Sequence, residues 1–282
     1  MRTAVITLTS GRHENLINQR AGLAGGSEPP QDYVVVAMAD MDIDGVLADG
    51  QPAAHVIHVP TTPTGLPLAR ARNIGAAAAL ARHAELLVFL DVDCIPGAGL
   101  VRRYRQAAAG SSLALLCGPV AYLPPPPSTG YGPQDLARLA DPHRARPAPA
   151  DGQAIDSHDH ELFWSLSFAV TEPVWHVIGG FCEDYTGYGG EDTDFGQLAR
   201  AAGIGLRWIG GATAFHQHHP VSDPPVEHLD AILRNAAIFH RRWGWWPMTG
   251  WLTEFERRGL VRFVAERDAW VATSAEPLSR SR

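Results

Sequence analysis

Three short polar segments carry most of the residues that could do chemistry. In Asp91-Val92-Asp93, two carboxylates stand one residue apart at the end of the apolar run Glu85–Leu90. Carboxylates at the end of a buried strand are costly unless something satisfies them. A hard divalent cation does so, because Mg2+ and Mn2+ take carboxylate oxygens together with substrate phosphates. An acidic turn is the plainer reading of such a pair. Its place after a strongly hydrophobic strand favours the metal. The second segment is Tyr188-Gly189-Gly190-Glu191-Asp192-Thr193-Asp194. Acids at a helix start are favoured by the helix dipole, but that does not explain the glycine pair before them. Gly189 and Gly190 allow close backbone approach or positive φ. A carboxylate kept ionised just beyond them is placed to take a proton from a hydroxyl. The third segment, Phe215-His216-Gln217-His218-His219-Pro220, has three histidines in four residues. Such a tract suggests metal binding, and one imidazole joining a carboxylate on Mn2+ is sound chemistry. The other histidines suit substrate contacts or support of the ligands. A fourth segment, Leu68-Ala69-Arg70-Ala71-Arg72-Asn73, puts arginines at a helix start, which suits a diphosphate. Arg70 alone reads as part of a solvated face.

The elements that must position these residues follow from hydrophobic periodicity. Strands are expected at Thr3–Leu8, Tyr33–Ala39, His55–Val59, Glu85–Leu90, Leu113–Cys117, Leu162–Val170 and Leu206–Ile209. Helices are expected at His13–Leu23, Pro67–His83, Ala98–Ala109 and Glu191–Ala202. Strands alternating with helices imply an α/β fold with a mixed, mainly parallel sheet covered on both faces. Ligands of such sheets bind beyond the carboxyl ends of the strands. Thr9-Ser10-Gly11-Arg12, Asp40 and Asp91-Val92-Asp93 all fall at such ends. Pro119–Asp159, with four prolines at 124–127, reads as a long loop on the same side. From Val226 onward the chain reads as helical and is rich in tryptophan (243, 245, 246, 251 and 270). Two units are therefore expected: a catalytic domain over 1–225, and a helical extension over 226–282 packed on it. Packing of those tryptophans on the core is the larger expectation. Lining of a substrate site by Trp243–Trp251 is the smaller one.

Composition narrows the function classes. The formal charge is −7, from 30 acidic and 23 basic residues, which argues against nucleic acid as a partner. Cys94, Cys117 and Cys182 are odd in number, far apart and without a CxxC pair, so neither a zinc cluster nor a disulfide framework is expected. The first apolar run is only a strand long, and no stretch reaches the ~20 apolar residues of a membrane span. A cytoplasmic protein without a signal peptide or transmembrane segment is the expectation. A homo-oligomer is left open.

Taken in order, FLDVDCIP, GYGGEDTDF and AFHQHHP resemble the GT-A glycosyltransferases, in particular family 2-like enzymes and the galactosyltransferase-type C-terminal motif. The resemblance runs from about Thr3 to Pro220. It implies a Rossmann-like nucleotide-diphospho-sugar transferase fold with Mn2+ or Mg2+ as cofactor. Asp93 and His216 are implied as metal ligands, with His218 as second choice. Asp91 is implied as a donor or metal-water contact, and Asp192 as the base of an inverting reaction. Glu191 is implied beside it on acceptor or donor sugar. Thr9, Arg12 and Asp40 fall where the base and ribose of a UDP- or GDP-linked donor are held, and Arg72 and Asn73 match a segment lining the same pocket. The implied activity is transfer from a nucleotide sugar, UDP favoured, to a carbohydrate or small-molecule hydroxyl. Tyr188 stands where many relatives have tryptophan, a departure on the acceptor side. Two rivals share the pattern. One is a nucleotidyltransferase, which would release pyrophosphate, with Thr9-Ser10-Gly11-Arg12 as a thin version of its phosphate loop. The other is a non-catalytic sugar-binding protein of the same fold.

Overall fold

The computed structural model describes residues 1–110, 113–128, 130–220 and 222–273. In chain order the elements are β1 (Thr3–Thr9), α1 (His13–Ala24), β2 (Asp32–Met38), α2 (Ile43–Leu47), β3 (Ala54–Val59), α3 (Leu68–Ala81) and β4 (Leu86–Leu90). Then come β5 (Cys94–Pro96), α4 (Leu100–Ala109), β6 (Ala114–Cys117), β7 (Val120–Tyr122), α5 (Pro133–Leu139), β8 (Asp141–Pro142) and β9 (Ala154–Ser157). The last are β10 (Ser167–Thr171), α6 (Glu172–Ile178), α7 (Glu191–Ala201), β11 (Gly205–Ile209), β12 (Ala214–His216), α8 (Leu229–Trp243), α9 (Thr249–Arg257), β13 (Val261–Val264) and β14 (Ala269–Ala272).

The main sheet has eight strands in the order β3-β2-β1-β4-β10-β6-β11-β9. Its β3-β2-β1-β4 half is parallel, while β10 runs antiparallel to both β4 and β6. The expected mixed, mainly parallel sheet is the one observed. Strand side chains alternate between two faces, so each strand feeds two cores. Ile6, Val34, Val36 and Phe89 join Trp175, Phe181 and Phe195 on the face covered by α3, α6 and α7. Val5, Val35, Val88 and Leu90 join Leu16, Leu23 and Tyr104 on the face covered by α1 and α4. The alanine-rich α3 lies close against the sheet: a Cβ on Gly75 would stand 2.5 Å from Ile6 Cγ2.

The structure corrects the sequence reading in three places. The segment 119–159 is not one long loop. It contains β7, α5, β8 and β9, and β7 pairs in parallel with β12 almost a hundred residues away. Such pairing leaves no local signature. The strand expected over Leu162–Val170 shrinks to β10, preceded by a single helical turn at His160–Leu162 and followed directly by α6. The extension is not wholly helical, because Trp270 lies in a β13–β14 hairpin closed at Asp268, whose φ is 44°. Its residues 274–282 lie outside the described ones. No helix among the described residues is long and apolar enough to cross a membrane.

Replacing Gly75 with Ala forces a methyl into the α3–sheet contact. Overpacking of this kind costs about 1–3 kcal/mol, so urea unfolding should show a lower midpoint at unchanged slope.

Candidate active site

A cleft of about 1580 Å3 opens beyond the carboxyl ends of β1 and β4. Pockets for drug-sized ligands run to roughly 300–1,000 Å3, and this cleft is larger. Its floor is the turn after β4. The Asp91 carbonyl accepts from the Cys94 N–H, which closes the turn. From α1, the buried Gln19 donates to the carbonyls of Asp91 (2.6 Å) and Cys94 (3.1 Å). Gln19 is itself fixed by Thr7 and Tyr33, whose hydroxyls donate to its Oε1 at 2.7 and 2.9 Å.

Asp93 and the histidine tract meet because β12 pairs antiparallel with β5, bringing His216 opposite Cys94. The Gln217 N–H donates to the Asp93 carbonyl at 2.7 Å, which fixes the register beyond the strand. One carboxylate oxygen of Asp93 and one ring nitrogen each of His216 and His219 lie within 4.8 Å of one another. Burial pushes the His216 imidazole down to about 4, against the opposing pull of the Asp93 carboxylate. The ring is therefore neutral at pH 7, with a lone pair free for a metal. Two imidazoles and a carboxylate suit Mn2+ better than Mg2+, which takes oxygen ligands. The third member is His219, not His218. His218 is exposed, with its backbone N–H donated to the Tyr131 hydroxyl. Three histidines in four residues signalled a ligand set; which of them face inward depended on the backbone after β12.

Arg12 donates to Asp93 Oδ2, the oxygen 3.5 Å from His219 Nε2, and Asn15 donates to Oδ1, at 2.7 Å each. Arg12 takes φ 54°, turning the chain sharply from β1 into α1. Thr9 and Arg12 line the cleft. Asp40 and Asn73 do not. Asp40 accepts from the Gly11 N–H and His13, which shapes the β1–α1 turn. Asn73 donates to the Phe181 carbonyl and Glu183 and accepts from the Phe181 N–H. Asp40 lies just past β2 and Asn73 lies within α3, and the sequence does not separate ligand contact from structural support there.

Asp91, Glu191 and Asp192 complete the acidic side, and their environments differ. Burial, reinforced by Asp93, raises the Asp91 carboxyl to about 6. Glu191 is buried and raised above the ordinary range by burial and by Asp192, while Arg72 opposes both. Arg72 donates to Glu191 at 3.1 Å and to Ser165 at 2.8 Å, and packs over the Phe181 ring. Asp192 is half-buried. Among the described residues its carboxylate accepts only from the N–H and hydroxyl of Thr193 and has no cationic partner, and it lines the cleft. Gly189 and Gly190, both at φ 90°, make the bend that delivers it.

The sequence reading missed the buttress behind this bend. Asp194, fully buried, accepts from Arg242 (2.7 Å), Trp243 (2.7 Å) and Tyr185 (3.1 Å). Asn235, also fully buried, donates to the carbonyls of Thr186, Tyr188 and Gly189. A lone Asp or Asn in a helix gives no signal of this. Residues 226–251 thereby form one wall of the cleft.

No family model matches the sequence. Validoxylamine A glucosyltransferase of Streptomyces hygroscopicus subsp. limoneus is 27% identical over 228 residues, covering 71% of this chain and 48% of its own length. That of Streptomyces hygroscopicus subsp. jinggangensis is equally similar, with 52% of its length covered. The chain thus spans about half the length of the curated relatives it matches. Among solved structures, GalNAc-T7 with UDP, GalNAc and Mn2+ superposes with a TM-score of 0.58 at 15% identity, over 78% of this chain and 44% of that one. The mannosyltransferase PcManGT from Pyrobaculum calidifontis, in complex with GDP-Man and Mn2+, gives 0.51 at 16%, over 91% and 64%. TarS of S. aureus gives 0.52 at 14%, over 84% and 65%.

Losing His219 removes one member of the metal group, whereas losing His218 removes none. Mn2+ titration calorimetry should show an affinity loss of at least about tenfold for His219→Ala and none for His218→Ala.

Proposed function

We infer that this chain, which has the GT-A fold, is a metal-dependent glycosyltransferase that moves a sugar from a nucleoside-diphosphate sugar to an acceptor hydroxyl with inversion. One observation carries the reading: Asp93, His216 and His219 share one cleft with Asp192, a carboxylate without a cationic partner among the described residues. A cation held by the first three would neutralise charge on the leaving diphosphate. UDP is the favoured nucleotide and Mn2+ the favoured ion. The curated relatives named as glucosyltransferases support sugar transfer, and the similar structures bearing UDP or GDP-Man, each with Mn2+, support a nucleotide-sugar donor and this ion.

The remaining chemistry belongs to side chains of this chain. Asp192 accepts the proton of the attacking hydroxyl. Among the acids nearest to it, Asp93 is held by Arg12 and Asn15 and Glu191 by Arg72. Asp91 is held partly protonated near pH 6. With Asp192 as the base, the reaction is a single displacement at the anomeric carbon. Arg12 and Arg72 bring positive charge to the phosphate side, and the walls built by 226–251 exclude water that would hydrolyse the donor.

Incubation with UDP-, GDP- and dTDP-sugars and Mn2+ tests the reading through its product. Nucleoside diphosphate is expected, and pyrophosphate would turn the assignment to a nucleotidyltransferase. EDTA should abolish turnover. Asp192→Asn should lower kcat by about 10^2–10^4 while UDP affinity, measured by calorimetry, stays within a few-fold. Parallel collapse of both would remove Asp192 from the role of base.

A further inference from the structure

The Arg146 side chain has no part in the scheme above, and its protein neighbours leave it unanswered. It enters from the connection between β8 and β9 and is 6% exposed. Its Nε, Nη1 and Nη2 are all buried, and none has a hydrogen-bond partner among the described residues. The guanidinium carbon lies over the Trp208 ring at 4.8 Å and over the Trp164 ring at 5.2 Å. Trp208, fully buried on β11, has its indole nitrogen buried and unpartnered as well. All of these unmet groups are N–H donors, and guanidinium and indole nitrogens offer no acceptor. Buried donors gathered without an acceptor are costly unless something accepts from them.

Charge narrows what that acceptor is. A guanidinium keeps its proton in proteins, and burial works against its charge here. The titratable groups that act on it most strongly are Cys117, Tyr104, Tyr122 and Cys94. Burial raises all four, Cys117 to about 12, so each is neutral at pH 7. The indole faces offset part of the charge but leave the N–H edge unmet. A water would accept hydrogen bonds and leave the charge; an anion answers both.

Arg146 is not among the residues lining the cleft, whereas Trp164 and His143 beside it are. The His143 ring packs edge-on against Trp164, with centroids 4.7 Å apart, and the His143 carbonyl accepts from the Arg146 backbone N–H at 3.1 Å. The donors thus lie behind the cleft wall, enclosed by indoles, a setting that suits a small monovalent ion better than a phosphate. We propose that the Arg146 guanidinium and the Trp208 indole N–H hold one halide-sized anion, such as chloride, and that this ion completes the wall carrying Trp164 and His143. The site is independent of the transfer reaction.

The test melts the full chain and its Arg146→Met variant in sodium gluconate, whose anion is too large for the site, and in sodium chloride or bromide at the same ionic strength. The halides should raise the wild-type Tm saturably, by about 2 °C or more, and leave Arg146→Met unmoved. In gluconate the variant should melt at or above the wild type, because it removes a buried charge that has no counter-ion. An arginine that only packs on the indoles would instead give a variant less stable by the same amount in every salt. Wild-type crystals grown in bromide, with data collected at the bromine absorption edge, should show a peak at the Arg146 guanidinium, a readout that holds even where the variant fails to fold. A wild-type Tm indifferent to the anion, an equal halide effect in Arg146→Met, or no bromide peak at Arg146 overturns the proposal. A peak without the saturable rise marks an adventitious ion only and overturns it too.

Discussion

Four carboxylates, Asp91, Asp93, Glu191 and Asp192, are brought to one end of one sheet, and the rest of the structure is arranged around that crowding of like charge. Each is answered differently. Asp93 is neutralised by Arg12 and hydrogen-bonded by Asn15. Glu191 is paired with the buried Arg72. Asp91, raised first by burial and then by Asp93, holds its proton up to about pH 6. Asp192 is left at the start of α7, where the helix dipole favours its charge. Different environments for neighbouring acids are the physical basis for different roles.

Holding Asp192 in that position depends on parts distant in sequence. The bend at Gly189 and Gly190 places backbone carbonyls where no strand or helix can satisfy them. Asn235 of α8 gathers three of them. Asp194, buried three positions into the acidic run, ties α7 to Arg242 and Trp243 at the far end of α8. Removing one partner from such a buried charged network would leave a charge unpaired, which is strongly destabilising. The C-terminal elements are therefore part of what forms the cleft.

Much of this was legible in the sequence where function coincides with local pattern. The run Leu86–Leu90 announced both the strand and the acids at its end, and the glycine pair announced the bend that delivers Asp192. The sequence was silent where a residue's partner lies far along the chain. His219 rather than His218 joins the metal group because of how the backbone leaves β12. Asp40 and Asn73 look like ligand contacts by type, yet their polar atoms are taken by the backbone of neighbouring turns. The strands within 119–159 are short and paired with β12 and β11, so no periodicity reveals them. Trp243 read as simple packing, whereas its indole N–H is a hydrogen bond to a buried carboxylate.

On the proposed reading, one cation held by Asp93, His216 and His219 meets the donor diphosphate opposite Asp192. Crystals grown with Mn2+ and UDP, with data collected at the manganese absorption edge, test it directly. The account predicts one anomalous peak bounded by Asp93, His216 and His219 and in contact with the diphosphate. A peak at other residues, or ordered UDP in the cleft with no peak beside its phosphates, would contradict it.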